Sequence, residues 1–115
     1  MHELSIVDAL IEQVDRELRR AGQHGPVTRL NLAIGRLSGV HCDSIRFAFE
    51  LLAPGTSADG AELNIVEPAA VCCCRACGAR REIPELVVAC PQCGSDEISI
   101  EEGRDLLLES IELKD

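Results

Sequence analysis

The chain is 115 residues long, the size of one ordinary domain, and 46% of it is hydrophobic, enough to bury a core rather than stay disordered. Its 20 acidic residues against 11 basic ones give a formal charge of −9, a field that repels nucleic-acid phosphates and anionic lipid. Phe47 and Phe49 are the only aromatics, too few to stack bases, and no apolar run approaches the ~20 residues that span a bilayer.

The opening Met1-His2-Glu3-Leu4 has neither the positive nor the apolar segment of a secretory signal, so a soluble cytoplasmic chain is expected. Residues 4 to 20 then read as an amphipathic helix, because Val7, Leu10, Ile11, Val14 and Leu18 recur at three- and four-residue steps. Ser5 and Asp8 have the spacing of a capping box, and Gly22 suits the stop. Thr28 to Ile34 alternates, with Leu30, Leu32 and Ile34 on one face, and reads as a strand broken by Gly35 and Gly39. Asp43 is placed to cap a second helix that carries Ile45, Ala48, Phe49 and Leu52 on one face and ends at Pro54-Gly55. A second strand is expected from about Ala61 to Glu67. A last one near the C-terminus should present Leu107, Ile111 and Leu113 on one side.

Between those two strands the composition changes. Residues 71 to 94 hold six of the seven cysteines and a net charge of +1, whereas 1–70 carry −4 and 95–115 carry −6. This divides the chain into an α+β domain, residues 1–70 with 95–115, and an inserted cysteine module, 71–94. The expected fold is a small sheet of about three strands with two helices, interrupted by a zinc-ribbon-like module.

Cys74-Arg75-Ala76-Cys77-Gly78 and Cys90-Pro91-Gln92-Cys93-Gly94 are two Cys-x-x-Cys-Gly knuckles. Each short loop lets both thiolates face one ion, and the following glycine can take positive φ so that backbone N–H groups turn toward sulfur. Four thiolates at Cys74, Cys77, Cys90 and Cys93 suit tetrahedral Zn²⁺ and leave no open position, so a structural zinc is expected. The stretch Arg80 to Val88, with Pro84-Glu85 inside, is expected to form a hairpin that brings the knuckles together. Cys72 and Cys73 read as a packed thiol and an exposed one, although either could replace a ligand. His41-Cys42 reads as a loop before a helix cap or as a soft-metal pair, and His24 as a solvated loop residue.

His2 has a specific chemistry of its own. A free α-amine on Met1, the amide nitrogen of His2 and its imidazole can close fused chelate rings, and the amide of Glu3 can complete a square plane. Such a nitrogen set suits Ni²⁺ or Cu²⁺.

Met1-His2-Glu3-Leu4-Ser5, Ile34-Gly35-Arg36-Leu37-Ser38-Gly39-Val40, Phe47-Ala48-Phe49-Glu50 with Gly55-Thr56, and the two knuckles follow one another in this order. Together they resemble the HypA/HybF family of hydrogenase nickel-insertion factors, and the resemblance runs from residue 1 to residue 113. It implies an α+β nickel domain with an inserted zinc domain, nickel bound at His2, and structural zinc on Cys74, Cys77, Cys90 and Cys93. It further implies a non-enzymatic metallochaperone that passes Ni²⁺ to the large subunit of a [NiFe]-hydrogenase. A HypB-type GTPase and, in some members, urease maturation proteins are the implied partners, with the chain a monomer or homodimer. The sequence departs at His41-Cys42, where the family commonly has Pro-Glu. Two other readings of the knuckles compete: a zinc ribbon that binds nucleic acid, opposed by the −9 charge, and a rubredoxin-like iron electron carrier, which would be red.

Overall fold

The computed structural model describes residues 2–114, in which two helices and six strands form two three-stranded sheets. Helix α1 (Glu3–Ala21) buries Val7, Leu10, Ile11 and Val14, the face set out by the sequence periodicity. Its start differs from expectation. His2 occupies the cap position without a side-chain cap bond, and Ser5 already lies inside the first turn, so no Ser5–Asp8 box opens the helix. Its end is as expected: Gly22 takes φ 66°, its N–H donates to the Arg19 carbonyl (3.1 Å), and the Gln23 N–H donates to that of Leu18 (2.9 Å). This Schellman closure needs a left-handed residue, which costs any side chain about 1–2 kcal/mol.

Strand β1 (Val27–Ile34) fully buries Leu30, Leu32 and Ile34. Helix α2 (Cys42–Leu52) packs against α1 and buries Ile45, Ala48 and Phe49, leaving Leu52 half-buried. Its cap residue is His41, in extended conformation, whose Nδ1 meets the Ser44 hydroxyl at 2.9 Å. Asp43, expected as the cap, instead sits in the first helical turn, where a carboxylate still faces the positive end of the helix dipole. Cys42 is thereby the first helical residue and not part of a loop.

Strands β2 (Glu62–Val66) and β6 (Leu106–Leu113) flank β1 in the order β2-β1-β6. The Lys114 N–H donates to the Pro26 carbonyl (3.0 Å) and the Thr28 hydroxyl to the Glu112 carbonyl (3.1 Å), so β1 and β6 run antiparallel. A polar network crosses the open face: the Asn64 amide donates to Asn31, which donates to Ser110 (2.9 Å) and Glu112 (2.8 Å). The β6 reading needs one correction. Burial alternates along β6 but changes phase at Glu109-Ser110, leaving Leu107 exposed while Leu106, Leu108, Ile111 and Leu113 are half-buried.

The second sheet runs β4-β3-β5, from strands β3 (Ala70–Cys74), β4 (Arg80–Ile83) and β5 (Ile98–Glu101). Both pairings are antiparallel: β3 meets β4 with Cys72 opposite Arg81, and β5 with Cys72 opposite Ile100. The expected hairpin from Arg80 to Val88 does not form. The partner of β4 is β3, and the first knuckle is the turn between them; Val88 is almost fully exposed. Ala70, Cys72 and Ile83 make a small core, covered by Leu37, Val87, Ile98 and Ile100.

The contacts divide the chain into two compact units. One comprises Met1–Leu32, His41–Ile65 and Leu107–Asp115, with α1, α2 and most of the first sheet. The other comprises Ala33–Val40 and Val66–Leu106. The cysteine-bearing unit is thus wider than the 71–94 segment that composition marks, because β5 must pair with β3 and the Gly35–Leu37 backbone must bond to Pro68, Gly103 and Asp105. Among the described residues, no helix is long and apolar enough to cross a membrane.

Candidate metal centre

Strand alternation decides what each of the three adjacent cysteines can do. Cys72 and Cys74 share one face of β3, and Cys73 points to the other. Cys72 is buried in the small core, and that burial pushes its thiol above the ordinary range. Cys73 is half-exposed; the Arg80 guanidinium donates to its Sγ (3.2 Å), while hydrogen bonding to the Glu101 carboxylate pushes its thiol up. Of the packed thiol and the exposed one expected for this pair, Cys72 is packed, whereas Cys73 is only half-exposed. No strand is predicted here from sequence, although the small and apolar run Ala69 to Cys74 is compatible with one.

Cys74 ends β3 and begins the first knuckle. The Gly78 N–H closes it on the Cys74 carbonyl (3.0 Å), and the Cys77 N–H donates to the Cys74 Sγ (3.4 Å). The second knuckle repeats this geometry. The Gly94 N–H donates to the Cys90 carbonyl (2.9 Å), and the N–H groups of Gln92 (3.3 Å) and Cys93 (3.4 Å) point at the Cys90 Sγ. Gly78 and Gly94 have φ of 76° and 80°, the conformation each turn requires. Donation from Cys93 and Gln92 holds the Cys90 thiol down to about 6, so this sulfur favours the thiolate that metals bind.

The four sulfurs converge. Cys74 and Cys93 approach to 3.7 Å, as do Cys77 and Cys90, and all four lie within 4.8 Å of one another. A tetrahedral ion with bonds of ~2.3 Å to sulfur separates its ligands by ~3.8 Å, so the observed spacing fits zinc. Cys74 and Cys90 are buried and Cys77 and Cys93 exposed. With every position taken by sulfur, such an ion organises the fold and offers nowhere for a substrate to bind.

The remaining candidates are not gathered there. His2 is exposed at the start of α1, His24 is exposed in the loop before β1, and His41 with Cys42 opens α2. Among the described residues, the four knuckle cysteines are the one group of three or more metal-ligating side chains.

The family model for hydrogenase and urease nickel-incorporation metallochaperones, HypA, matches residues 1–113. The hydrogenase maturation factor HypA of Chlorobium limicola is 43% identical over 115 residues, covering 100% of this chain and 98% of that protein. Its counterpart from Rhodobacter capsulatus is 34% identical over 113 residues, covering 98% and 99%. The solution structure of the Ni metallochaperone HypA from Helicobacter pylori matches with a TM-score of 0.73 at 26% identity, covering 98% of this chain and 97% of that one. The match takes in both the four-sulfur cluster and the histidine-bearing start, and on this ground the chain belongs to the HypA family of nickel-incorporation metallochaperones.

Proposed function

We propose that this non-catalytic maturation factor carries Ni²⁺ at its N-terminus and keeps Zn²⁺ as a resident structural ion. Its family role is nickel incorporation for [NiFe]-hydrogenase maturation, which displaces the nucleic-acid and electron-carrier readings of the knuckles. Zinc belongs on Cys74, Cys77, Cys90 and Cys93, where it supplies folding free energy to the cysteine unit. Nickel belongs on the His2 imidazole, with the α-amine of Met1, which lies outside the described residues, and the amides of His2 and Glu3.

The observation that carries this reading is the position of His2. It is exposed and occupies the cap position of α1, and among the described residues the first helical bond is the Ile6 N–H to the His2 carbonyl (2.9 Å). The His2 amide therefore precedes the helical ladder, and its coordination breaks no bond of the helix. Planar nitrogen donors suit Ni²⁺, and an exposed site lets an acceptor exchange ligands one at a time. The large subunit of the hydrogenase is the acceptor, and a HypB-type GTPase is the accompanying partner. A related route to urease is compatible with the family's scope. The cytoplasm is the compartment that keeps the seven thiols reduced.

The test is a calorimetric Ni²⁺ titration of untagged native protein and His2→Ala. The variant is expected to lose specific nickel binding and to retain one zinc per chain. Undiminished nickel affinity in His2→Ala overturns the assignment.

A further inference from the structure

The Phe47-Ala48-Phe49-Glu50 segment separates its two rings: Phe49 is buried, whereas Phe47 is 62% exposed. Leu51, one turn further along the same helix face, is 58% exposed, and Leu4 of α1 is 52% exposed. These three line a shallow cleft of about 420 Å³ together with Glu3, Asp43 and Ser44. Folding gains little from three large apolar side chains left this open, and a contiguous apolar patch with a polar rim is the mark of an interaction surface.

What covers it follows from its place and its charge. The cleft begins at Glu3, the residue after the imidazole proposed to hold nickel. A nickel acceptor must bring its own ligands within coordination distance of that ion, so its surface has to cover the residues around His2. A second copy of this chain would bring the acidic residues Glu3 and Asp43 of two clefts together, between molecules of charge −9. Anionic lipid meets the same repulsion.

We infer that the Leu4–Phe47–Leu51 cleft docks the nickel acceptor, through an apolar side chain of the acceptor flanked by Lys or Arg that complements the acidic lining residues Glu3 and Asp43. The inference rests on the nickel reading above, but docking without nickel can be measured separately. Apolar anchors in the centre of an interface carry most of its affinity, and rim charges act mainly on encounter and salt dependence.

The experiment uses the zinc-loaded, nickel-free full chain and the purified nickel-free large-subunit precursor of the hydrogenase from the same organism. Phe47→Ser combined with Leu51→Ser is expected to weaken binding to the precursor at least tenfold. Circular dichroism, zinc content and Ni²⁺ affinity should not change, since both side chains are exposed. Asp43→Asn is expected to give a smaller loss and a shallower salt dependence. Unchanged precursor affinity in the double variant overturns the proposal. So does loss of binding to the GTPase alone, or a native dimer that the double variant dissociates. His2→Ala should keep nickel-free docking. If that variant also keeps nickel while the double variant loses docking, the nickel assignment falls and the docking surface stands.

Discussion

Gly35→Ala is the substitution with the largest steric consequence in the cysteine unit. A Cβ at Gly35 would lie 2.0 Å from the carbonyl carbon of Gly103, 2.3 Å from its oxygen and 2.5 Å from the Arg104 nitrogen. Ordinary contacts begin near 3.4 Å, so the backbone must part by roughly 1.4 Å. No flexible side chain can absorb this, because all three obstacles are main-chain atoms. Nor can Gly103 retreat freely, since its own Cβ position is 2.3 Å from the Ala70 nitrogen at the start of β3. Parting the segments also threatens two backbone bonds, Gly35 N–H to the Asp105 carbonyl (2.9 Å) and Leu37 N–H to the Gly103 carbonyl (2.8 Å). Overpacking of this kind costs about 1–3 kcal/mol and each lost bond about 1, giving about 3–5 kcal/mol in all. At about 4–8 °C per kcal/mol for a domain of 60–100 residues, the melting temperature should fall by at least about 12 °C. Gly22→Ala is the control, with a left-handed φ of 66° but nothing within 4 Å, and an expected cost of about 1–2 kcal/mol. Urea and thermal melts of zinc-loaded protein, followed by circular dichroism, measure both. If Gly35→Ala costs no more than Gly22→Ala, close backbone approach is not what requires glycine at this position.

Cys74→Ala should remove zinc and melt the cysteine unit, because structural zinc supplies about 10–16 kcal/mol, as much as a whole domain's stability. Nuclear magnetic resonance should then show signals of Val66–Leu106 collapsing while those of α1 and α2 persist; an ordered metal-free sheet would refute this. One extra glycine before Met1 should sharply weaken Ni²⁺ binding with His2 intact, since it converts the proposed amine ligand to an amide, and calorimetry reads this directly. Cys72, 2% exposed and with its thiol pushed up by burial, should escape iodoacetamide in the folded zinc-loaded protein and react once urea is added. Mass-spectrometric labelling of Cys72 under native conditions would contradict that.

The parts of the fold that depend on nearby residues were legible in the sequence. Val7, Leu10 and Val14 lie on one face of a helix because the 3.6-residue period is local, and Leu30, Leu32 and Ile34 share a sheet face because alternation is local. The knuckles were legible for the same reason: Cys-x-x-Cys-Gly contains its own turn, including the positive φ at Gly78 and Gly94. Cap positions were less so. Ser5 and Asp43 are better capping residues than His2 and His41, yet the helices begin before them, at Glu3 and Cys42. What failed was pairing. Nothing in Arg80–Val88 discloses that β4 closes on β3 rather than on the residues after Pro84, because the choice depends on Ala70 and Cys72 burying against Ile83 and Ile100.

The same distinction separates the two proposed metal sites. A cage of four thiolates is built by two distant segments, and its sulfurs meet only when β3 has paired and both knuckles have closed. An ion held there is coupled to the folding of the whole cysteine unit, and removing it means undoing that unit. Such a site retains a metal well and delivers one badly. The nitrogens proposed for nickel at His2 are contiguous in sequence, and the His2 amide precedes the first helical bond among the described residues, so metal could leave them without disturbing the packing of α1. A chaperone has to give up its cargo and keep its shape. With zinc on a folded, non-local site and nickel on a local, exposed one, the proposed assignment would meet both demands in a single 115-residue chain.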